Sequence, residues 1–221
     1  MPSYWEHIHE DVKLEISGKR SIAGKLIDCG LDVVVVFDGE QFFYIPTTHI
    51  QHFTIDQASN INYDNQTITP IRNDTDSISF RKILNNAKGM FIEIYVTGNL
   101  SLHGYILNIL NNYFTFYSPV YKLMFIALEH VKWIVPYNDA QTPYSLSAHE
   151  LPLNPATISL SRTLEEQLKK LEGKLVVFDI AKTPRHIGLL RKVDQNMVEL
   201  VTARNEIVYW NQKHLKTVHL P

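Results

Sequence analysis

One pattern is written three times along this chain, and it constrains the fold more than any other feature. Gly24, Gly104 and Gly188 each stand eight residues before an Asx residue, namely Asp32, Asn112 and Asn196, and a β-rich apolar run follows each time. The Gly-to-Gly spacings are 80 and 84 residues. Each copy closes alike: an apolar strand, a short turn, then His49-Ile50, His130-Val131 or His214-Leu215. With one inserted residue allowed, the three histidines superimpose. Gly, Asx and His in the same order three times point to one structural unit repeated.

The patterning predicts a helix and five short strands per copy. In the third copy Thr163 and Glu166 form a capping box, Leu164, Leu168 and Leu171 recur at helical spacing, and Gly173 ends the helix. In the second, Phe80, Ile83, Leu84 and Ala87 share a face and Gly89 ends it. The first copy has a stub around Tyr4, Trp5 and Ile8, with Ser3 and Glu6 as its capping pair. Strands are expected near 12–17, 20–28, 32–37, 41–46 and 50–55, with Asp38-Gly39 as a hairpin turn. The second copy places them near 90–97, 100–109, 113–119, 122–127 and 131–135, and the third near 174–180, 185–193, 197–203, 206–211 and 215–219. A glycine inside a long second strand permits a sharp bend. The expected fold is therefore mainly β with short helices: three tandem small bent barrels over 1–56, 78–137 and 161–221. The stretches 57–77 and 138–160 read as linkers, with a small hairpin at Tyr63–Thr67 in the first and Tyr144, Leu146, Leu151 and Leu153 anchoring the second. A barrel of this size buries only about 60% of its unfolded surface, so the copies should pack on one another.

Gly24-Lys25-Leu26 followed by Asp32, with the closing Thr48-His49-Ile50, resembles the Sm-like fold of Sm, LSm and Hfq proteins. The chain is also similar to an uncharacterised group of short Sm-like proteins from Bacillus and other spore-formers. The resemblance covers about three-quarters of the chain, counted as three copies, and implies barrels that pair edge strands into rings. Three fused copies then make half of a six-membered ring that two chains complete. The RNA-binding members carry an Asx after the apolar pair and an Arg-Gly or Lys-His near the last strand. Here the first region is Val33-Val34-Val35-Val36, no closing turn has Arg-Gly, and only Lys213-His214 has Lys-His. RNA binding by the family route is not what these residues imply.

Composition narrows the chemistry. The 21 Lys and Arg nearly balance 23 Asp and Glu, giving a net charge of -2, which excludes a chain that coats nucleic acid by charge alone. Lys13, Lys19, Arg20 and Lys25 form a modest basic patch, and aromatics such as Phe42, Phe43, Tyr44, Tyr113, Phe114, Phe116, Tyr117, Tyr121 and Phe125 run along predicted strands, where core packing explains them. The one cysteine, Cys29, replaces an apolar strand residue and fits a buried thiol in a reducing compartment. His7 with His9, and His49 with His52, are ligand-type pairs, but a metal needs three or four converging groups, so no metal or other cofactor is expected. No nucleophile elbow, phosphate loop or HExxH is present, and no enzyme is expected. No run approaches a membrane span, and the first residues show no basic-then-apolar signal pattern, which points to a cytoplasmic protein.

The function this reading expects is a non-enzymatic assembly or interaction protein that pairs edge strands with protein partners or with itself, associated with sporulation or the spore coat. Single-stranded nucleic-acid binding is the alternative. His49, His130 and His214 are the candidate binding residues; Gly24, Asp32, Gly104, Asn112, Gly188 and Asn196 are the repeat's structural positions.

Overall fold

The computed structural model describes residues 4–56, 70–71, 77–97, 100–137, 143–145 and 158–221. The hairpin expected at Tyr63–Thr67, the anchors Leu146, Leu151 and Leu153, and the capping residue Ser3 lie outside the described residues. The first segment carries β1 (Asp11–Ile16), β2 (Arg20–Cys29), β3 (Val33–Phe37), β4 (Phe42–Pro46) and β5 (Ile50–Ile55). The second carries α1 (Phe80–Asn86), β6 (Phe91–Thr97), β7 (Leu100–Ile109), β8 (Tyr113–Ser118), β9 (Lys122–Ala127) and β10 (Trp133–Pro136). The third carries α2 (Leu164–Lys169), β11 (Leu175–Phe178), β12 (Ile187–Asp194), β13 (Met197–Val201), β14 (Ile207–Asn211) and β15 (Thr217–His219).

The protein is mainly β, and the fifteen strands among the described residues follow the antiparallel order β14-β13-β12-β11-β15-β9-β8-β7-β6-β10-β4-β3-β2-β1-β5. Within each segment the order is fifth, first, second, third, fourth strand. No closed barrel occurs among the described residues, which differs from the three barrels expected. The outer strands explain why. Instead of pairing with β5, β4 pairs with β10, and β9 pairs with β15 rather than β10. An edge that a neighbour satisfies has no need to close on itself.

The chain divides into two compact units, 1–95 with 131–143, and 96–130 with 144–221. The first is built on β1–β5, α1, most of β6, and β10. Its core holds Val12, Leu14, Ile16, Leu26, Val34, Val36 and Ile45, with Tyr95 and Trp133 stacked at 4.0 Å. The second holds β7–β9, α2 and β11–β15. There Leu164, Leu168 and Leu171 of α2 and its following turn bury against Tyr113, Phe125, Val176, Phe178 and Val218. The capping box forms, with Thr163 accepting from the Glu166 amide and Glu166 accepting from the Thr163 amide.

The same local device recurs in all three segments. The second strand carries a bulge two to four residues past its glycine, at Leu26/Asp28, Ile106/Asn108 and Leu190/Lys192. A Cβ on Gly24, Gly104 or Gly188 would lie 2.8, 2.8 or 2.9 Å from the carbonyl carbon of Phe37, Tyr117 or Val201, and closer still to its oxygen. The bent strand thus lays its glycine against the facing backbone, where no side chain fits.

Two elements differ from expectation. The first segment has a short 3-10 turn, Tyr4–His7, in place of a helix. Its end still follows the others: His9 has φ 74°, where Gly89 and Gly173 have 79° and 80°. The strand expected to reach 180 stops at Phe178 because Asp179, Ile180 and Ala181 all adopt left-handed backbone. The buried Asp179 carboxylate accepts from the amides of Lys216 (2.8 Å) and Thr217 (3.1 Å), taking over from the strand ladder.

Candidate functional site

Between the fourth and fifth strands of each segment lies a 3-10 turn whose last residue is the repeated histidine: Thr47–His49, Leu128–His130 and Gln212–His214. The Asx residue anchors each turn. The carbonyl oxygens of Asp32, Asn112 and Asn196 accept from the amides of Thr47 (3.0 Å), Leu128 (2.9 Å) and Gln212 (2.7 Å). The Asx side chains do a second job. Asp32 Oδ1 accepts from the Phe80 amide at 2.9 Å, and Asn112 Oδ1 from the Leu164 amide at 2.9 Å. Those amides open α1 and α2, so each Asx ties its own turn to the helix of the next segment. Asn196 caps no helix among the described residues.

The three histidines differ in their surroundings. His49 is half-buried, with Nδ1 3.1 Å from Ser17 Oγ. His130 is half-buried, and its Nε2 donates to the Lys213 carbonyl at 2.9 Å, joining one closing turn to the next. His214 is exposed. Among the described residues no three His, Cys, Asp or Glu side chains are grouped to hold a metal. His7 bonds Glu10 at 2.8 Å. Cys29 is fully buried, and burial, aided by Asp28, pushes its thiol up to about 11.

Of the nine aromatic residues that the sequence pattern offers for base stacking, all but Tyr121 are core. Phe42, Phe43, Tyr44, Tyr113, Phe114, Phe116, Tyr117 and Phe125 are buried, so their faces are not presented for base stacking. Burial pushes both Tyr44 and Tyr113 up to about 12, against the lowering effect of their backbone hydrogen bonds. In the basic patch, Arg20 donates to Tyr95 Oη at 3.1 Å and lies over that ring.

The strands at the two ends of the sheet order stand apart. The inner seam strands β4 and β10 are buried throughout, and so is β15. By contrast β14 alternates exposed and half-buried residues, and β5 is half-buried to exposed. Tyr209 of β14 is 60% exposed, whereas Tyr44 and Phe125, each five residues before their histidine as Tyr209 is, are 1% and 0% exposed. Beside Tyr209 runs a groove of about 540 Å³ lined by Lys192, Asp194, Asn196, Met197 and Glu199. A second hollow of about 300 Å³ lies among Asn112, Glu129, Leu164, Asn196 and Lys213. Sequence reasoning singled out the histidines but missed these edges, because β14 is as apolar as its buried counterparts and only pairing distinguishes them.

No helix among the described residues is long and apolar enough to cross a membrane. The sequence pattern of the YwrJ third domain matches residues 163–218. The chain is 43% identical over 220 residues to the uncharacterized protein YwrJ of Bacillus subtilis (strain 168), covering 98% of this chain and 98% of that protein. This chain therefore belongs to the YwrJ family.

Proposed function

We propose that this protein is a non-enzymatic assembly module whose three segments are Sm-like units and whose end strands dock protein, in the first instance another copy of itself. The carrying observation is the contrast in burial between the outer strands β5 and β14 and the seam strands β4, β10 and β15. An unpaired edge exposes a row of amide and carbonyl groups, and proteins ordinarily guard such edges with charge or proline. Neither Ile50–Ile55 nor Ile207–Asn211 contains a charged residue or a proline. Edge pairing supplies main-chain hydrogen bonds, and alternate side chains supply specificity.

Six Sm-like units from two chains close one ring in this reading. Light scattering of the full chain across a concentration series tests it. A mass of twice 25.5 kDa is expected. A single-chain mass at every concentration counts against self-assembly. The burial of the strand aromatics sets the single-stranded nucleic-acid reading second, and anisotropy of a short labelled RNA at low salt distinguishes the two.

A further inference from the structure

We propose that the outer edge of β14 pairs antiparallel with the outer edge of β5 in a second copy of this chain, in the register that the two internal seams already use; the proposal rests on the assembly reading above and specifies its interface. In the first unit Ile134 faces Tyr44. Ile134 lies four residues past His130, and Tyr44 five before His49. In the second unit Val218 faces Phe125, flanked by Thr217 facing Ile126 and His219 facing Met124. Val218 is again four past its histidine, and Phe125 again five before its own. Two seams formed from different residues thus share one register.

Carried one segment further, the rule names a third seam. Phe53, four past His49, falls opposite Tyr209, five before His214; His52 falls opposite Trp210, and Thr54 opposite Val208. These are the strands left as the two ends of the sheet order. The exposed apolar residues on them, Ile55 at 38%, Ile207 at 44% and Tyr209 at 60%, are those a pairing would cover.

The surroundings of β14 repeat the argument. Tyr113 and Phe125 of the middle segment are buried beneath α2 and β15. Their counterparts Met197 and Tyr209 border the open groove. Asn112 caps α2, whereas its counterpart Asn196 lines the groove with no helix to cap among the described residues. His130 donates to the carbonyl of Lys213, the residue before the next histidine. At the other internal seam His49 instead meets Ser17, so this bond belongs to one seam alone. The edge strand, the aromatic place beside it and the Asx of a seam are therefore present, and uncovered, at this end. The contact is heterologous, joining two different edges, so it closes only if the rotation between copies returns to its start.

The test uses two full-length single-site variants, Thr54→Cys and Val208→Cys, mixed and oxidised. Directly opposed residues of an antiparallel pair bring their Cβ atoms near disulfide range. A covalent pair of chains is expected in the mixture and not from either variant alone, and native Cys29, fully buried, does not compete. If no mixed disulfide forms while the unmodified chain scatters as a multimer, this interface is wrong and the assembly reading survives. If the unmodified chain scatters as one chain at every concentration, both fall. Tyr209→Lys gives an independent arm, since an exposed position tolerates the change in a single chain. Its mass should drop to one chain with an unaltered circular dichroism spectrum, and a retained multimer overturns the proposal.

Discussion

Replacing Gly104 by Ala should separate a steric requirement from ordinary glycine flexibility. The glycine's own backbone is not left-handed, so Ala gains about 0.4–1 kcal/mol by restricting the unfolded chain. Against that, the new Cβ would sit 2.8 Å from the Tyr117 carbonyl carbon, closer still to its oxygen, and 3.0 Å from Phe116 Cε1. The two nearest atoms, the Tyr117 carbonyl, belong to a paired β8 backbone, which cannot swing aside as a flexible side chain would. Overpacking of this kind costs about 1–3 kcal/mol, and a backbone clash belongs at the upper end. The net loss is about 2 kcal/mol, and for a chain of this length each kcal/mol moves Tm by about 2–4 °C. Gly173→Ala is the control: nothing lies within 4 Å of its Cβ, but its φ of +80° is left-handed, so its cost is about 1–2 kcal/mol of backbone strain alone. Thermal and urea unfolding of both variants, with Gly24→Ala and Gly188→Ala alongside, reads the difference. If Gly104→Ala is as stable as the parent, the close approach of the facing strand is not what places the glycine.

Other expectations follow from single contacts. Asn112→Ala removes the acceptor for the Leu164 amide and should cost about 1 kcal/mol, while Asn196→Ala, whose side chain caps no described helix, should cost clearly less in a single chain; urea midpoints compare them. Cys29 should resist a thiol reagent in the native protein at pH 8 and react at once in urea, because burial removes access and holds the thiol protonated. Burial lowers the pKa of His219, and of His186 despite the opposing charge of Asp179. The unfolded chain then binds protons more readily than the folded one. Their contribution to stability is whole above about pH 6.5 and is lost as pH falls from there through the lowered folded values. Tm should thus fall between pH 7.5 and pH 5.5, and His219→Gln should flatten the slope; a parent Tm that rises on acidification contradicts the sign.

Strand positions were legible in the sequence because apolar runs, Asx turns and bend glycines are local signals. The expected 100–109 and 113–119 became Leu100–Ile109 and Tyr113–Ser118 for that reason. The strand order was not legible in the same way. Whether β4 pairs with β5 or with β10 depends on a comparison between distant edges, and Phe42–Pro46 looks the same in either case. The end of β11 was missed because the Asp179 carboxylate works on amides 37 and 38 residues away. The histidines were visible as a repeated letter, but their unequal surroundings were not: one meets Ser17, one the Lys213 carbonyl, one solvent. The Asx residues carried more than the pattern suggested, since their side chains reach the following helix.

That inequality among equivalent positions is itself measurable. Phe125 and Tyr209 occupy one place in two copies, yet Phe125 is fully buried and Tyr209 is 60% exposed. Truncating a large buried aromatic to Ala costs about 3–5 kcal/mol, whereas an exposed site away from special features stays within about 0.5 kcal/mol. Phe125→Ala should therefore unfold far more readily than the parent at any protein concentration. Tyr209→Ala should match the parent when dilute and fall behind it only as concentration rises. Association that binds the folded chain alone raises Tm with concentration, so the parent should show that dependence and Tyr209→Ala should lose it. Differential scanning fluorimetry over a hundredfold dilution reads both. If Tyr209→Ala is as destabilised as Phe125→Ala at the lowest concentration, Tyr209 is covered within its own chain, and no second copy is needed to account for an apolar strand at that edge.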